Sequence, residues 1–526
     1  MSQSTGQLLC IEEFSQLTFR SAREIIRSLE AGKLSGKKIE NEWYVDASQI
    51  GNGAVYCKSE ADALVRAAAA LDWRKILAPL NARREAVFKA PTVELGISIT
   101  DIRAEAERAQ QRAMLFDWII GIAALIGIFA AIDIWSTPSY DEIYYLSDEA
   151  SSSSIQILLA AYSASVVAIF IHTRLSKRRA RAILAANAAE RSYDANYCAK
   201  DEPNVVVSGG FSPFVGAGEG AGGWSFTMNL AEAADVNSPV LAATPDALYQ
   251  EAESALCTLG MPDLVIRDEI YVDGRDVRDV PQLMPMGSFN APLETLSAGH
   301  IGQHIGSDDR QTRHYKAIRF VLWSSQIVLS TFLRYVVVKN VLYVEARSFV
   351  LPPLAARFLA LKNLPLVPQF SERITDFVLS FLRAIYAWVP VLLRAFNFVQ
   401  GGFLDTKSRW LKRSKKEVLA NQRYNYGWDK SLRETWAGRD YERYFQMVDL
   451  DFCQKVVRES LLNSLLKSLE ARNICTESLK NASTVIHNEG VIVNGGQLKA
   501  ENLTAGRSAQ ATVQHITTRS PRPGKE

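Results

Sequence analysis

Two long apolar runs with almost no charge lie close together in the first third of the chain. Residues 151–173 contain no formally charged side chain, with His172 at their edge, and residues 118–132 are uncharged between Asp117 and Asp133. The run 151–173 is long enough to cross the hydrocarbon core of a bilayer. The segment 115–135 around the other run is a second candidate, because Asp117 and Asp133 would lie near the headgroups and Trp118 and Trp135 in the aromatic belts. We therefore predict two transmembrane spans, at 115–135 and 153–173. A buried helical hairpin of a soluble domain is the alternative, but two such runs joined by a short polar loop are rare in soluble cores.

The basic residues around these runs predict their orientation. Lys and Arg resist translocation, whereas acidic residues have little effect on orientation. The loop 136–150 has four acidic residues and no basic one. Basic residues precede the first span (Arg103, Arg108, Arg112) and follow the second (Arg174, Lys177, Arg178, Arg179, Arg181). We therefore expect both ends of the hairpin to face the cytoplasm. The first fourteen residues lack the basic and apolar regions of a signal peptide, so we expect most of the chain to remain cytoplasmic.

The N-terminal residues 8–50 show helical spacing at 11–17 and 21–29, followed by strand-like alternation at 37–45. With Glu12-Glu13, the run 21–27, the Gly32-Lys33-Leu34 turn and the segment 38–45, the stretch resembles an excisionase/MerR-type helix-turn-helix. The resemblance implies that Arg20, Arg23 and Arg27 face DNA and that Lys33, Lys37 and Lys38 meet phosphates. The alternative is that this fold serves protein contact or oligomerisation.

A glycine-rich region follows the helical connectors on either side of the hairpin. Gly218, Gly220 and Gly223 satisfy G-x-G-x-x-G, but the residues that follow, 224–230, alternate like a strand. A dinucleotide site needs a helix at that point, so we predict a glycine-lined hairpin loop and no nucleotide. In the upstream connector, we expect Pro79 to break the helix. We expect the charged, helical residues 98–114 to run straight into the first span.

Residues 318–350 contain three β-rich runs, the last two joined by Lys339-Asn340, and they predict an antiparallel meander.

His300 and His304 have the i, i+4 spacing of metal ligands on a helix, but Gly299, Gly302 and Gly306 favour a loop. Six scattered cysteines without a C-x-x-C pair give no zinc or disulfide framework. We therefore predict no metal and no cofactor.

Several of these segments together resemble a group of bacterial membrane proteins with no known activity. They are Asn204-Val205-Val206-Val207 with the loop to residue 216, Leu342-Tyr343-Val344-Glu345, Leu351-Pro352-Pro353 and the tail motif at 485–506. The resemblance covers about residues 110–510. It implies a bacterial origin and a shared cytoplasmic domain, and it brings no known activity and no site residues. Together with the two predicted spans, this leads us to expect a multi-pass protein of the bacterial inner membrane.

A third apolar segment, 376–401, carries a narrow polar stripe that begins at Asp376 and includes Arg383 and Arg394. A basic cluster follows directly: Lys407, Arg409, Lys412, Arg413, Lys415 and Lys416. Together they predict an amphipathic helix on the cytoplasmic leaflet with a basic patch against anionic headgroups. A core helix of the soluble domain with a solvated basic loop is the alternative, and a third span is disfavoured because both arginines would lie inside it.

The C-terminal part is predicted to contain an amphipathic helix at 449–472 and short apolar strands with Asn/Gly turns at 485–506. The apolar side of the helix is expected to carry Phe452, Val456, Leu462, Leu465, Leu466 and Leu469. These strands suit a small β-arch that pairs with other copies of the chain, or a simple terminal hairpin.

The predicted fold class is an α+β multidomain integral membrane protein with a helix-turn-helix, a two-helix transmembrane hairpin and a cytoplasmic antiparallel β-rich domain. The predicted segments are a helix-turn-helix module (1–56), a helical connector (57–114), a transmembrane hairpin (115–173), a juxtamembrane helix (174–203), a β-rich domain (204–370), an amphipathic surface helix with its basic patch (371–416), a helical part (417–482), a β-arch (483–510) and a disordered tail (511–526).

Two functions are consistent with these features. Lys plus Arg (59) and Asp plus Glu (57) nearly balance, which excludes a wholly basic nucleic-acid coat. The sequence also lacks G-x-S-x-G, H-E-x-x-H and P-loop motifs, so we predict no enzyme and identify no small-molecule substrate. The first hypothesis is a membrane-tethered DNA-binding regulator with a cytoplasmic sensing domain. The alternative is an oligomerising membrane effector, for example in bacterial defence, that perturbs the bilayer.

Overall fold

The computed structural model describes residues 8–10, 36–39, 42–46, 59–136, 146–189, 203–261, 263–365, 367–401 and 406–480. The chain forms two compact units. The first contains residues 1–77, 96–194 and 360–403, and the second contains 78–95, 195–359 and 404–526. The predicted DNA-facing residues Arg20, Arg23, Arg27 and Lys33 and the predicted β-arch 485–506 lie outside the described residues.

The described N-terminal residues form three short strands. They are β1 (Leu8–Cys10), β2 (Gly36–Ile39) and β3 (Glu42–Asp46). Both β1 and β2 pair antiparallel with β3, and Lys37 and Lys38 of β2 lie opposite Tyr44 and Trp43. The hairpin predicted at 37–45 is therefore confirmed. The two helices predicted for this module lie outside the described residues.

Four helices follow: α1 (Glu60–Leu71), α2 (Trp73–Glu85), α3 (Ile99–Ser136) and α4 (Leu146–Ala189). Ser59 caps α1, because its hydroxyl accepts a hydrogen bond from the backbone N–H of Asp62 (3.3 Å). The expected break at Pro79 is wrong. The helix breaks at Asp72, which has φ −136°, and Pro79 lies inside α2. The charged residues before the first run continue into it as one helix, as predicted.

The rest of the described chain alternates strands and helices. The elements are β4 (Val205–Ser208), β5 (Glu219–Asn229), α5 (Pro245–Cys257), β6 (Leu264–Asp273), α6 (Ala298–Gly302), β7 (Thr312–Leu322), β8 (Ile327–Val338), β9 (Val341–Leu351), α7 (Ala356–Leu359), α8 (Phe370–Gly401), α9 (Thr406–Ala420), α10 (Leu432–Trp436) and α11 (Tyr444–Glu470). Single 3₁₀ turns lie at Val277–Asp279 and Ala360–Asn363.

The second unit is built on a six-stranded sheet with the strand order β4-β6-β7-β8-β9-β5. The predicted meander is confirmed as β7, β8 and β9. Lys339 and Asn340 form its tight turn with φ values of 47° and 64°, as a two-residue hairpin with a primed turn requires. The predicted antiparallel class needs a correction, because β4 pairs parallel with β6 and the sheet is mixed.

The glycine-lined hairpin predicted around 204–226 is also wrong. β4 and β5, the strands on either side of the glycine-rich loop, lie at opposite edges of the sheet, and β5 pairs with β9. Alternation in a sequence indicates a strand but not its partner. Gly220 and Gly223 flank a bulge inside β5, so the G-x-G-x-x-G motif leads into a strand.

The core of the second unit lies between the sheet and two helices. Tyr249 and Leu256 of α5 and Val457 and Leu461 of α11 are buried together with strand residues such as Phe320. A second cluster on the parallel side joins Phe88 and Ala90 to Val205, Ile270 and other residues of β4 and β6. Phe88 and Ala90, which precede α3 in the sequence, thus complete a core whose other residues mostly follow α4 in the sequence.

His300 lies in α6, a five-residue helix where the sequence predicts a loop. Three glycines in the eight positions 299–306 accompany a helix of a single turn, and His304 follows it. The two ring nitrogens of His304 lie 3.2 Å from Gln282 Oε1 and 3.1 Å from Thr312 Oγ1. Within the described ranges no group of three His, Cys, Asp or Glu side chains is placed to hold a metal ion.

Candidate membrane site

Three helices of the first unit are long and apolar enough to cross a membrane. Among the described residues they are Ile99–Trp135, Ser153–Asn187 and Phe370–Leu393. The first two contain the predicted spans. The third is the segment predicted to lie on the membrane surface.

The hairpin of α3 and α4 is held together at both ends. At the end with the basic residues, the buried carboxylate of Glu105 accepts two hydrogen bonds from Arg179, of 3.0 and 2.9 Å. At the other end, Ser154 Oγ donates to Asp133 Oδ2 (2.6 Å). A bidentate arginine–carboxylate pair fixes both distance and orientation. The register of the two helices is therefore set by polar contacts outside the apolar middle.

The outer surfaces of α3 and α4 are apolar. Phe129, Ile132 and Leu159 are 72%, 53% and 62% exposed, and Trp118 and Trp135 lie near the two ends of the first run. A soluble helix buries such residues against a core. This surface, with aromatic side chains at its ends, has the composition of a lipid-facing surface.

The N-terminal end of α8 is attached to α4 by ion pairs. Lys177 Nζ lies 2.6 Å from Asp376 Oδ1 and 3.0 Å from Glu372 Oε1. Arg174 and Arg181 extend the network to the same two carboxylates, and Arg181 also donates to the backbone carbonyl of Pro365 (2.7 Å). Asp376 is only 3% exposed. We call these five charged residues the α4–α8 ion-pair cluster: Arg174, Lys177, Arg181, Glu372 and Asp376.

Beyond this cluster α8 crosses α4 obliquely. Phe377 packs edge-on against Phe170, the Phe381 carbonyl accepts from Tyr162 (2.7 Å), and Trp388 Nε1 donates to Ser165 Oγ (3.1 Å). Val391 then packs with Ala168. The stretch from residue 377 to 391 rises about 21 Å, but its partners on α4 span about 12 Å and do not run in one direction. If α8 packed lengthwise along α4, successive residues of α8 would contact positions on α4 whose numbers steadily rise or steadily fall.

One side of α8 packs on the hairpin and the other is apolar and exposed. Ser380, Ala384 and Val391 are buried on the packed side, and the ring of Trp388 lies against Gly127 of α3. Eight apolar or aromatic residues on the other side are each at least 42% exposed: Ile374, Val378, Leu379, Leu382, Ile385, Tyr386, Val389 and Leu393. Removing the exposed part of one such side chain from water contributes about 1 kcal/mol, so this face favours an apolar surrounding by on the order of 10 kcal/mol.

The predicted membrane-surface residues fall in two places. Arg383 is exposed on α8, at the edge of its packed side. The side chains of Arg394 and Lys407 lie outside the described residues. The remaining basic residues are on α9 of the second unit, and all are exposed: Arg409, Lys412, Arg413, Lys415 and Lys416. Ser414 and Val418 are buried on the opposite side of α9, so that side packs on its own unit and leaves the cations outward.

Sequence reasoning placed Asp376 on the polar stripe but missed its partners. The sequence did contain a signal for this pairing, because the acidic residues at the start of α8 are opposite in charge to the basic residues that follow the apolar run of α4. The pairing itself depends on two segments about 200 positions apart, and only the fold brings these together.

The second unit joins segments from both sides of α8. Ala355 N donates to the Trp436 carbonyl (2.9 Å), and Leu354 forms a β-bridge with Ala437. The fully buried Arg433 donates to the carbonyls of Gln326 and Pro352, at 3.0 and 2.9 Å. Burial lowers the pKa of Arg433 to about 10. Residues just before α8 and residues well after it are thus packed in one interior.

The segment that precedes α3 enters the same interior. Both carboxylate oxygens of Glu94 accept hydrogen bonds from the backbone at the start of α10, from Leu432 N and Arg433 N at 2.9 Å each. Burial raises the pKa of Glu94, although the nearby Arg83 acts in the opposite direction. A further backbone bond joins Ala90 N to the Tyr426 carbonyl (2.8 Å).

The fold and its exposed apolar helices define a class: a membrane protein that carries a mixed α/β domain. A family model described as AbeC-like domain matches residues 223–500, just over half of the 526 residues. The chain belongs to this family. The matched part includes β6 to β9 and α8, and it begins after α3 and α4. Comparisons with curated proteins and with solved structures found no match.

Proposed function

We propose that this chain is a bilayer-acting membrane protein in which α3 and α4 cross the membrane and α8 inserts into one leaflet from the cytoplasmic side. The observation that carries the proposal is that the residues on both sides of α8 belong to one folded unit. A folded unit lies on one side of a bilayer, so the segment between two parts of it crosses an even number of times.

The same rule applies to the hairpin. Residues 78–95 before α3 and residues 195–359 after α4 both belong to the second unit, which agrees with two crossings. Residues 359 and 404, before and after α8, both belong to the second unit. One continuous helix between them could cross the bilayer once at most, and because the number of crossings must be even, it crosses zero times. Its length and apolar composition permit a span, but the connectivity favours a helix that enters and remains in one leaflet.

The contacts of α8 support this placement. They start at the ion-pair cluster beside Arg181 and reach no further along α4 than Tyr162 among the described contacts. That range lies towards the basic end of the hairpin, which the positive-inside rule assigns to the cytoplasm. The exposed cations of α9 suit an anionic membrane surface, since anionic headgroups attract each nearby Lys or Arg by about 1 kcal/mol.

A helix inserted into one leaflet adds area to that leaflet alone, which strains the bilayer. We infer that the function of α8 is to disturb or bend the membrane, as in the effector hypothesis. The family match, which includes α8 but not the hairpin, supports treating α8 as a working part of the AbeC-like domain.

Dye release from vesicles tests the proposal. The full-length protein is reconstituted into phosphatidylethanolamine–phosphatidylglycerol vesicles, and carboxyfluorescein release is compared between two triple variants at Leu382, Ile385 and Val389. Replacement by Ser removes apolar contact with lipid, whereas replacement by Met retains it, so we expect release from the Met variant and at least tenfold slower release from the Ser variant. Equal release from both variants would rule out the exposed face of α8 as the active element.

A second candidate function is membrane-tethered DNA binding. The observation in its favour is the β2–β3 hairpin, which lies where the helix-turn-helix resemblance requires a wing. Chromatin immunoprecipitation of the full chain and of an Arg20/Arg23/Arg27→Ala variant tests it. Discrete peaks lost in the variant are expected for a DNA-binding regulator, and an absence of peaks from both proteins contradicts this function.

A further inference from the structure

One edge of the six-stranded sheet is formed by β5, which pairs with β9 from Glu219 to Asn229. Because β5 is the last strand in the order, about half of the backbone N–H and C=O groups between Trp224 and Asn229 point away from the sheet. In the described part of the chain, no other named helix or strand runs along this side of β5. A row of outward backbone groups of this kind is a template for pairing with a further strand.

The free side of β5 lacks the features with which proteins usually protect an edge strand, namely charged side chains, proline or a bulge that turns the strand away. Its bulge lies near the beginning, between Gly220 and Gly223. The rest of the strand, 224–229, reads Trp-Ser-Phe-Thr-Met-Asn and contains neither charge nor proline. Aromatic and β-branched residues of this kind favour strands. The segment 224–229 is therefore suited to accept another strand.

After α11 the chain returns to the end of β5. Ile474 forms an antiparallel β-bridge with Ala233, and Cys475 N donates to the Glu232 carbonyl (2.8 Å). Both partners lie only a few residues beyond the end of β5. From Cys475 to residue 480 the chain can extend at most about 17 Å. The residues after 480 thus leave from near the end of β5, and a segment that follows the free edge from there runs antiparallel to β5.

The sequence after residue 480 contains a segment with the composition of a strand. Val491, Ile492 and Val493 are consecutive β-branched residues, with Gly490 before them and Asn494 after them. The ten residues before 491 span up to about 33 Å when extended, whereas the edge 224–229 is about 20 Å long, so the segment can reach this edge. The family match begins inside β5 and includes residues 490–494.

We propose that residues 490–494 of the same chain pair with the free edge of β5 as a seventh, antiparallel strand of the sheet. This strand gives hydrogen-bond partners to the outward backbone groups of 224–229. A second copy of the chain carries the same segment, but a segment tethered close to the edge is present at millimolar effective concentration, which favours pairing within one chain. The inference concerns the sheet of the second unit and does not depend on the insertion of α8 into the membrane.

Disulfide cross-linking in the full-length protein tests the pairing. In a cysteine-free version, Thr227→Cys is combined with a single cysteine at each position from 488 to 495, and mild oxidation is followed by non-reducing electrophoresis. Successive side chains of a strand point to opposite faces, so we expect a cross-link within one chain at alternate positions and loss of the cross-link at the positions between them. Replacing Thr227→Cys by Ser225→Cys should move the strongest cross-link two positions towards the C-terminus, because the strands are antiparallel.

Thr258→Cys is the matched control for Thr227→Cys. Both threonines are exposed, but Thr258 lines the open groove between α5 and α11, which extends to Ala471 near the end of α11. We expect no cross-link from Thr258→Cys to the tail cysteines. Stronger cross-linking to Thr258→Cys than to Thr227→Cys would overturn the proposal, and so would equal cross-linking at consecutive tail positions. Cross-links only between two chains would show that a second copy supplies the strand, which also contradicts it.

Hydrogen–deuterium exchange of the chain with its native cysteines is an independent measurement. Adjacent N–H groups of a strand point in opposite directions, so Val491→Pro/Ile492→Pro removes one donor to β5 in either register. We expect faster exchange of the backbone amides of 224–229 in this variant than in the unmodified protein. The control Val491→Thr/Ile492→Thr keeps the N–H groups and the β-branched side chains, so exchange there should be unchanged. Equal exchange of 224–229 in the two variants would exclude the added strand.

Discussion

Glycines at the edge of the sheet show how strongly single residues constrain this fold. Gly218 has φ +92°, and a Cβ atom there would lie 2.2 Å from the carbonyl oxygen of Val350. Its backbone N–H donates to Glu434 Oε1 (2.8 Å), which belongs to α10. The first glycine of the G-x-G-x-x-G motif is therefore needed for close approach of two backbone segments, and the motif has a structural explanation without a nucleotide.

Gly218→Ala should destabilise the second unit by several kcal/mol, because the added methyl group meets backbone that cannot move aside. Gly260 is the matched control. It also has a left-handed φ of +61°, but nothing lies within 4 Å of an added Cβ, so Gly260→Ala should cost about 1 kcal/mol from its backbone conformation alone. Urea unfolding followed by tryptophan fluorescence measures both. Similar losses for the two variants would show that contact with Val350 is unimportant.

Element types were more predictable from the sequence than element partners. The meander, the continuous helix through the first apolar run and the amphipathic helix α11 follow from periodicity, which is a local property. The apolar side predicted for α11 is only partly its buried side. Leu462, Leu465 and Leu469 are buried as expected, but Phe452 is 56% exposed and Cys453 lies in the core in its place. The positions of β4 and β5 at opposite sheet edges depend on contacts distant in sequence, and no local pattern encodes these.

Asp376→Asn tests the α4–α8 ion-pair cluster at the level of elements. Removing this buried carboxylate leaves Lys177 and Arg174 with less compensation, so we expect a loss of about 3–5 kcal/mol. Asp451→Asn is the control, because Asp451 pairs with Lys455 on the exposed surface of α11 and should contribute at most about 0.5 kcal/mol. Thermal melting of the full chain in detergent compares the two. Equal shifts would mean that the cluster does not anchor α8.

At the scale of the whole molecule, the sequence indicates the membrane location but not the interleaving of the two units. Each unit is assembled from three separate stretches of chain. The apolar runs and the basic residues predicted the hairpin. Nothing local indicates that residues 78–95 and 404–480 complete the sheet unit, since those contacts, such as Glu94 with the start of α10, join positions more than 330 apart.

The proposed topology predicts the accessibility of cysteines introduced on either side of α8. In a cysteine-free version of the chain, a cysteine at Gln369 or at Lys412 should react with a membrane-impermeant maleimide only after spheroplasts are permeabilised. A cysteine at Ser139, in the loop between the two spans, should react in intact spheroplasts. Labelling of the Lys412→Cys protein in intact spheroplasts would instead make α8 a third span and contradict insertion into one leaflet.

The interleaved connectivity also determines the order in which the protein can be made. Residues 78–95 leave the ribosome before either span, but their partners at 424–433 are synthesised more than 300 residues later. The sheet therefore still lacks α11 on its core face when α3, α4 and α8 have already been synthesised. In the proposed topology these helices enter the membrane before the second unit is complete, and until α11 emerges the nascent chain exposes an apolar surface of the kind that chaperones recognise.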